Sequence, residues 1–327
     1  MFLAALVSLL LPALAAQSPA PAVRAGPAAL QRPVVVGASL SYGLGLDQKH
    51  ENGVRTSLAD VAQAALEVEH QRVVDLGHSL MFLNTTSNAR QLIDSARDQN
   101  PTLVVALDFL FWFGYGEIAS EDARLAMLER GLGQLEGFDC PVLVGDFPDM
   151  QAALRGKSHL ARGGPLLMPA QVPAPETLAK LNAKLAAWAA ERPNVVLVPL
   201  SEFVAKLHTA EKIEVRGNTF GGKDGLATLM QPDLLHPTLR GTVGVWILAA
   251  DRLVTAKPEI PADAFLWNAE ELRQRVWNAK EQERRDAAEK ARKRAEKAAP
   301  PPPPEPDPPA AEKKSRRGEG ERDGDGR

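Results

Sequence analysis

The chain alternates short apolar runs with longer segments of helical period, the pattern of a parallel sheet covered by helices. Val34-Val35-Val36, Arg72 to Leu76, Thr102 to Leu107, Pro141 to Val144 and Val195 to Val198 predict five strands. Between them, Leu58, Val61, Ala62, Ala65 and Leu66 fall on one helical face. Leu125, Leu128, Leu132 and Leu135 make a second stripe, and Leu178, Leu181, Leu185 and Trp188 a third. Spacing of this kind turns a helix toward a sheet rather than toward a cofactor. A last stripe, Val243, Trp246, Ile247, Ala250 and Leu253, predicts a helix that closes the domain. The expected fold is α/β: three layers in a flavodoxin-like arrangement around a central parallel sheet of about five strands, followed by a C-terminal helix and a disordered tail.

The ends of the chain read differently. Phe2 to Ala16 is apolar and leads to small residues at Ala13, Ala15 and Ala16, so residues 1–16 are expected to be a signal peptide and the mature protein secreted or periplasmic. The alternative is an uncleaved membrane anchor, although the stretch is shorter than the ~20 apolar residues a spanning helix needs. Residues 17–32, rich in Ala and Pro, form a flexible linker into a domain at 33–256. Over 257–298 a charged helix is expected, with Asn268-Ala269-Glu270-Glu271 as its N-cap and Leu272, Val276 and Trp277 as its docking face. From Lys280 to Lys297 opposite charges recur at three- and four-residue spacing without a large apolar side chain, which predicts a solvated helix with no coiled-coil seam. The prolines after residue 299 stop that helix, and 299–327 reads as a Pro-rich disordered tail.

Composition removes several function classes. The 327 residues carry a formal charge of only −3 with both signs mixed along the chain, so nothing favours nucleic acid as a partner. Cys140 is the one cysteine, which excludes an intrachain disulfide and a zinc thiolate cluster. Gly37, Gly43 and Gly45 lack the Gly-Lys-Ser/Thr that a phosphate loop requires. Oligomeric state is not legible in the sequence.

The chemistry sits at two places far apart in the chain. Gly37-Ala38-Ser39-Leu40 follows the first strand and delivers a serine into a glycine-spaced turn, and Asp233-Leu234-Leu235-His236 carries a carboxylate and an imidazole three residues apart. A hydroxyl, a base to take its proton and a carboxylate to fix the base's tautomer are the parts of a nucleophilic site. In an open α/β sheet, Ser39, Gly77, His78 and Asp108 would all stand at carboxyl ends of strands, where ligands bind.

From about Pro33 to Leu253 these residues resemble the SGNH (GDSL-like) hydrolases, a family of esterases, lipases and acetyl esterases. The family's Gly-x-Ser-x block matches Gly37-Ala38-Ser39-Leu40, and its Asp-x-x-His block matches Asp233 to His236. The resemblance implies Ser39 as nucleophile, His236 as base and Asp233 as its orienter. It also implies the N–H groups of Ser39 and Gly77 as oxyanion donors. The third block departs: where the family carries Gly-x-Asn-Asp, this chain reads Ala106-Leu107-Asp108-Phe109, without the donor asparagine. Asp108 is left as a neutral donor, a substrate acceptor or a helix cap. His78 and Trp112 are the remaining candidates for the substrate pocket. The function so implied is an exported serine esterase, needing no cofactor or metal, that acts on a small-molecule or polysaccharide ester, a carbohydrate O-acetyl or short-chain acyl group. The degraded third block also admits an impaired member that binds envelope carbohydrate or serves as a scaffold.

Overall fold

The computed structural model describes residues 24–46 and 55–298. The signal peptide expected at 1–16, the first part of the linker and the tail at 299–327 lie outside the described residues. In chain order the strands are β1 (Arg24–Ala25), β2 (Pro33–Gly37), β3 (Val68–Glu69), β4 (Val74–Gly77), β5 (Leu103–Ala106), β6 (Val142–Gly145), β7 (Val195–Val198), β8 (Lys212–Val215) and β9 (Asn218–Gly221). Five of them form one sheet in the order β4-β2-β5-β6-β7, every pairing parallel. With β2 flanked by β4 and β5, the order reverses at the strand that delivers Ser39, as in flavodoxin-like sheets. β1 pairs with β3 and β8 with β9, each apart from the main sheet.

The five expected strands are present, with ends displaced by their neighbours' hydrogen bonds. Val73 donates its N–H to the Gln63 side chain at 2.9 Å rather than to a strand, so the second strand begins at Val74 and not at Arg72. Leu107 already belongs to the turn beyond β5.

The strands alternate two buried faces. Val35, Val105, Leu143 and Val196 join one core, and Val34, Val36, Val104, Ala106, Val142 and Val144 the other. Burial on both sides explains why these runs read as continuously apolar. The first face is covered by α2 (Leu58–Ala65) and α9 (Leu239–Ala256), whose stripes supply Leu58, Val61, Val243, Trp246 and Ile247. Across the sheet lie α3 (Thr85–Asp98), α5 (Glu121–Leu135) and α6 (Pro175–Ala190), supplying Ile93, Leu128, Leu132, Leu181 and Leu185. Three layers follow from those two cores.

The remaining helices are α1 (Ser39–Tyr42), α4 (Phe111–Gly114), α7 (Leu200–His208), α8 (Gly225–Leu229) and α10 (Ala269–Ala298). Asn268 caps α10, its Oδ1 accepting from the N–H groups of Glu270 and Glu271 at 3.1 and 2.9 Å, and Leu272 and Val276 enter the core. Lys280 departs from the expectation of a solvated helix: it is 7% exposed, its Nζ 2.9 Å from both Asp60 and Glu283. The carboxylates offset its desolvation, which a lone buried ammonium would not survive. The chain divides into two compact units between Arg284 and Arg285. Over the described residues the second unit is helix, with i,i+4 pairs such as Glu289–Lys293 at 2.6 Å.

Candidate active site

β2 ends at Gly37 and the chain turns into α1, placing Ser39 at the first position of that helix, half-buried. What holds this turn is Asp108, two residues beyond β5. Its Oδ1 accepts from Ala38 N–H at 3.0 Å and from Ser41 Oγ at 2.6 Å; its Oδ2 accepts from Leu40 N–H at 2.7 Å and Ser41 N–H at 3.3 Å. Gly37 is required beside it, since a Cβ there would lie 2.1 Å from Asp108 Oδ1. Of the amides from 38 to 41, only that of Ser39 is not among the donors to Asp108. Burial pushes the Asp108 carboxyl above the usual carboxylate range, and the bonds from Ser41, Leu40 and Ala38 pull it part of the way back. Four hydrogen bonds converge on its two oxygens, three from backbone N–H groups that can only donate and one shared with the Ser41 hydroxyl, which can donate or accept. Asp108 therefore braces the Ser39 turn, the capping role among those the sequence left open.

The second loop is built around Asp233, 5% exposed, and His236, 4% exposed. Asp233 Oδ1 accepts the N–H groups of Leu235 and His236 at 3.0 and 2.9 Å, and Oδ2 lies 2.9 Å from His236 Nδ1. An ionised carboxylate can only accept, so Nδ1 carries the ring proton and the lone pair is left on Nε2, the tautomer a general base needs. Burial pushes the Asp233 carboxyl up, but the hydrogen bond and charge of His236, with the His236 and Leu235 amides, bring it below its ordinary value. Leu234 has φ +55°, an uncommon conformation for a branched residue, held by its N–H to Gln231 O at 2.9 Å. Behind the loop, Gly156 packs so closely that a Cβ would lie 1.9 Å from Asp233 O, and Lys157 N–H reaches Pro232 O at 2.8 Å.

Ser39 and His236 line one pocket of about 50 Å³, together with Asp108, Phe111, Asp146 and Leu235. The pocket's hydrogen bonds tie Asp233 to His236 and Asp108 to the serine turn; none of them joins Ser39 to His236. A larger groove of about 900 Å³, bordered by Arg55, Arg72, Asp75 and Lys280, has no nucleophile paired with a base. The described residues hold no group of three or more His, Cys, Asp or Glu side chains able to grip a metal ion.

Three residues of the sequence reading are not among those that line the pocket of Ser39 and His236. Gly77 N–H is held by Asp75 Oδ1 at 3.0 Å, so it is already taken as an oxyanion donor. His78 is not among the pocket's lining; its backbone N–H extends the sheet to Gly37 O at 2.9 Å, and its Nδ1 is buried without a partner. Trp112 packs against Phe82 and Phe111, at ring separations of 5.4 and 5.2 Å, and Phe111 lines the pocket in its place.

Two residues escaped the sequence reading. Asp146 follows β6 and accepts from Ser201 N–H at 2.6 Å and Ser201 Oγ at 2.5 Å, which caps α7; burial raises its carboxyl. Its position just past an apolar strand run was a usable signal. Gln231 donates Nε2 to Leu44 O and to Pro237 O, both at 2.8 Å, a contact between residues 187 apart that no local pattern announces.

No family model matches the chain, and no curated protein does. Among solved structures, it is similar to a chain titled TesA, at 19% identity over 70% of this chain and 99% of that one, with a TM-score of 0.40. It is also similar to a lipase/acylhydrolase from Enterococcus faecalis, at 15% identity over 71% and 98%, TM-score 0.41. A family 3 carbohydrate esterase from Clostridium thermocellum gives 15% identity over 71% and 100%, TM-score 0.38. At these values the functional reading has to rest on the geometry of the site itself.

Proposed function

We propose that the protein is a serine esterase acting through an acyl-enzyme. The observation that carries this reading is the buried Asp233–His236 pair, in the tautomer of a base, lining the same pocket as Ser39. In the mechanism that follows, His236 Nε2 takes the Ser39 proton as Oγ attacks the ester carbonyl carbon. The Ser39 N–H, left aside by Asp108, receives the oxyanion, and His236 returns its proton to the departing alcohol. Water, deprotonated by the same nitrogen, then releases the acid and restores Ser39. No step uses a cofactor. The narrow pocket favours an acetyl or other short acyl group, on a small-molecule or carbohydrate ester. The apolar stretch at 2–16 supports export, and a mature protein beginning at Gln17 by mass spectrometry would establish it. Among the described residues, no helix is long and apolar enough to cross a membrane.

Fluorophosphonate labelling of the mature protein tests the nucleophile. Labelling confined to the Ser39 peptide and absent from Ser39→Ala supports the esterase. One observation favours a second reading, a protein that binds envelope carbohydrate without turnover. With Asp108 turned to the serine turn and Gly77 N–H held by Asp75, the oxyanion loses two donors, and one alone is worth ~100 to ~1000-fold in turnover. Folded wild-type protein that takes no label, yet binds acetylated glycan with or without Ser39, supports that reading instead.

A further inference from the structure

Adjoining the pocket that Ser39 and His236 line is a second chamber, also of about 50 Å³, and its surface is entirely apolar. The two share five lining residues, Leu40, Pro148, Met150, Leu200 and Leu235, and are therefore neighbours. Beyond these residues the chamber runs between α7, α8 and α9, where Val204, Leu229 and Val245 line it. Leu235 belongs to both chambers and sits between Asp233 and His236 in sequence, directly after the left-handed Leu234. The hydrogen bonds that set the catalytic loop therefore also set the partition.

A pocket of this size exceeds the ~10–15 Å³ that admits one water. A water there would find no polar partner, whereas an aliphatic chain would bury its surface at no hydrogen-bonding cost. Leu40, the residue after Ser39, lines both pockets, which puts the second one next to the position where an acyl group would be attached. We infer that this second chamber is the acyl-chain subsite of the enzyme: the acyl group enters past Leu40, Met150 and Leu235, and the preferred ester carries a short unbranched aliphatic chain, butyryl to hexanoyl, longer than acetyl. The inference rests on the serine-esterase reading and narrows its acyl side.

Val245 lines the second chamber and not the first, so its size tests the assignment. With 4-nitrophenyl esters from acetate to decanoate, wild type should prefer butyrate or hexanoate to acetate. Val245→Phe should lower the hexanoate-to-acetate ratio of kcat/KM by about tenfold or more, the discrimination that one or two methylenes supply in an apolar pocket. Val245→Ala should move the preference toward longer chains, and Val245→Leu, a milder filling, keeps the test open if the phenylalanine variant fails to fold. A preference for acetate in wild type, or a ratio indifferent to all three substitutions, would mean a packing void only and would overturn the subsite. Should no ester be turned over, calorimetry on Ser39→Ala protein still decides. Saturable binding of hexanoate, blocked by Val245→Phe and not shown by acetate, upholds the chamber while the esterase reading fails; no hexanoate binding refutes the chamber.

Discussion

Gln231 and Leu44 are joined across 187 residues by a 2.8 Å hydrogen bond, and the same Gln231 Nε2 holds Pro237 O at 2.8 Å. One amide thus fastens the loop that follows Ser39 to the loop that carries His236. Gln231→Glu keeps the shape but turns a carboxylate toward two carbonyl oxygens, so donor is replaced by acceptor. Turnover should fall by about 10²-fold in Gln231→Glu and in Gln231→Ala, the cost of reacting groups displaced by about 1 Å, with kcat affected more than KM. Steady-state kinetics beside thermal denaturation checks this, and kinetics equal to wild type in a folded Gln231→Glu would refute it.

Asp108 braces the serine turn through four hydrogen bonds, and Asn in its place would turn an NH₂ toward N–H donors. Asp108→Asn should destabilise the protein by about 1–3 kcal/mol for each buried donor left unmet, and reduce fluorophosphonate labelling of Ser39. The pH dependence has a defined sign. A carboxyl whose folded pKa is raised is ionised more easily in the unfolded chain, so its contribution to stability is greatest below the unfolded value of about 3.9 and declines as pH rises through the folded value. Denaturant titrations across that window should show the decline in wild type and less of it in Asp108→Asn.

The sheet was legible because its central strands β2, β5 and β6 are buried on both faces, which writes them as unbroken apolar runs such as Val34-Val35-Val36, and because β-α alternation admits few topologies. Asp233 and His236 were legible for a similar reason, since their pairing is local, three residues apart. Asp108 was noticed but not understood: its partners Ala38, Leu40 and Ser41 are 67–70 residues away, and only the closed sheet shows that it faces them. For Gly77, sequence reveals a backbone donor's position but not that a neighbour, Asp75, accepts from it. Lys280 read as solvent-facing because Asp60, which receives it, lies 220 residues away.

Asp233 orients the imidazole and closes its own turn, so two effects should separate in Asp233→Asn. The amide can present either end to Nδ1, which frees the other tautomer, and kcat should fall by on the order of 10⁴-fold, as when the carboxylate of a Ser-His-Asp set is neutralised. Stability should also change with pH in the opposite sense to Asp108. A depressed carboxyl contributes fully above its unfolded value of about 3.9, and that contribution is lost as pH falls through the lower folded value. Acid denaturation curves of wild type and Asp233→Asn should therefore converge at low pH; parallel curves would remove the assigned role of the His236 contact.

The two portions of α10 should behave oppositely under mutation. Leu272 is fully buried in the core shared by α2 and α9, so Leu272→Ala removes packing that nearby side chains cannot refill and should cost about 2–5 kcal/mol. The chain beyond Arg284 belongs to a separate compact unit, so a protein ending at Arg284 should keep its melting temperature within about 2 °C, the shift that a few tenths of a kcal/mol would produce. It should also keep its rate of Ser39 labelling. Calorimetry with labelling kinetics reads both quantities on the same samples. A truncated protein that folds but loses labelling would show that Ser39 reactivity depends on the charged C-terminal helix, against a nucleophile, base and carboxylate that all lie between Gly37 and His236.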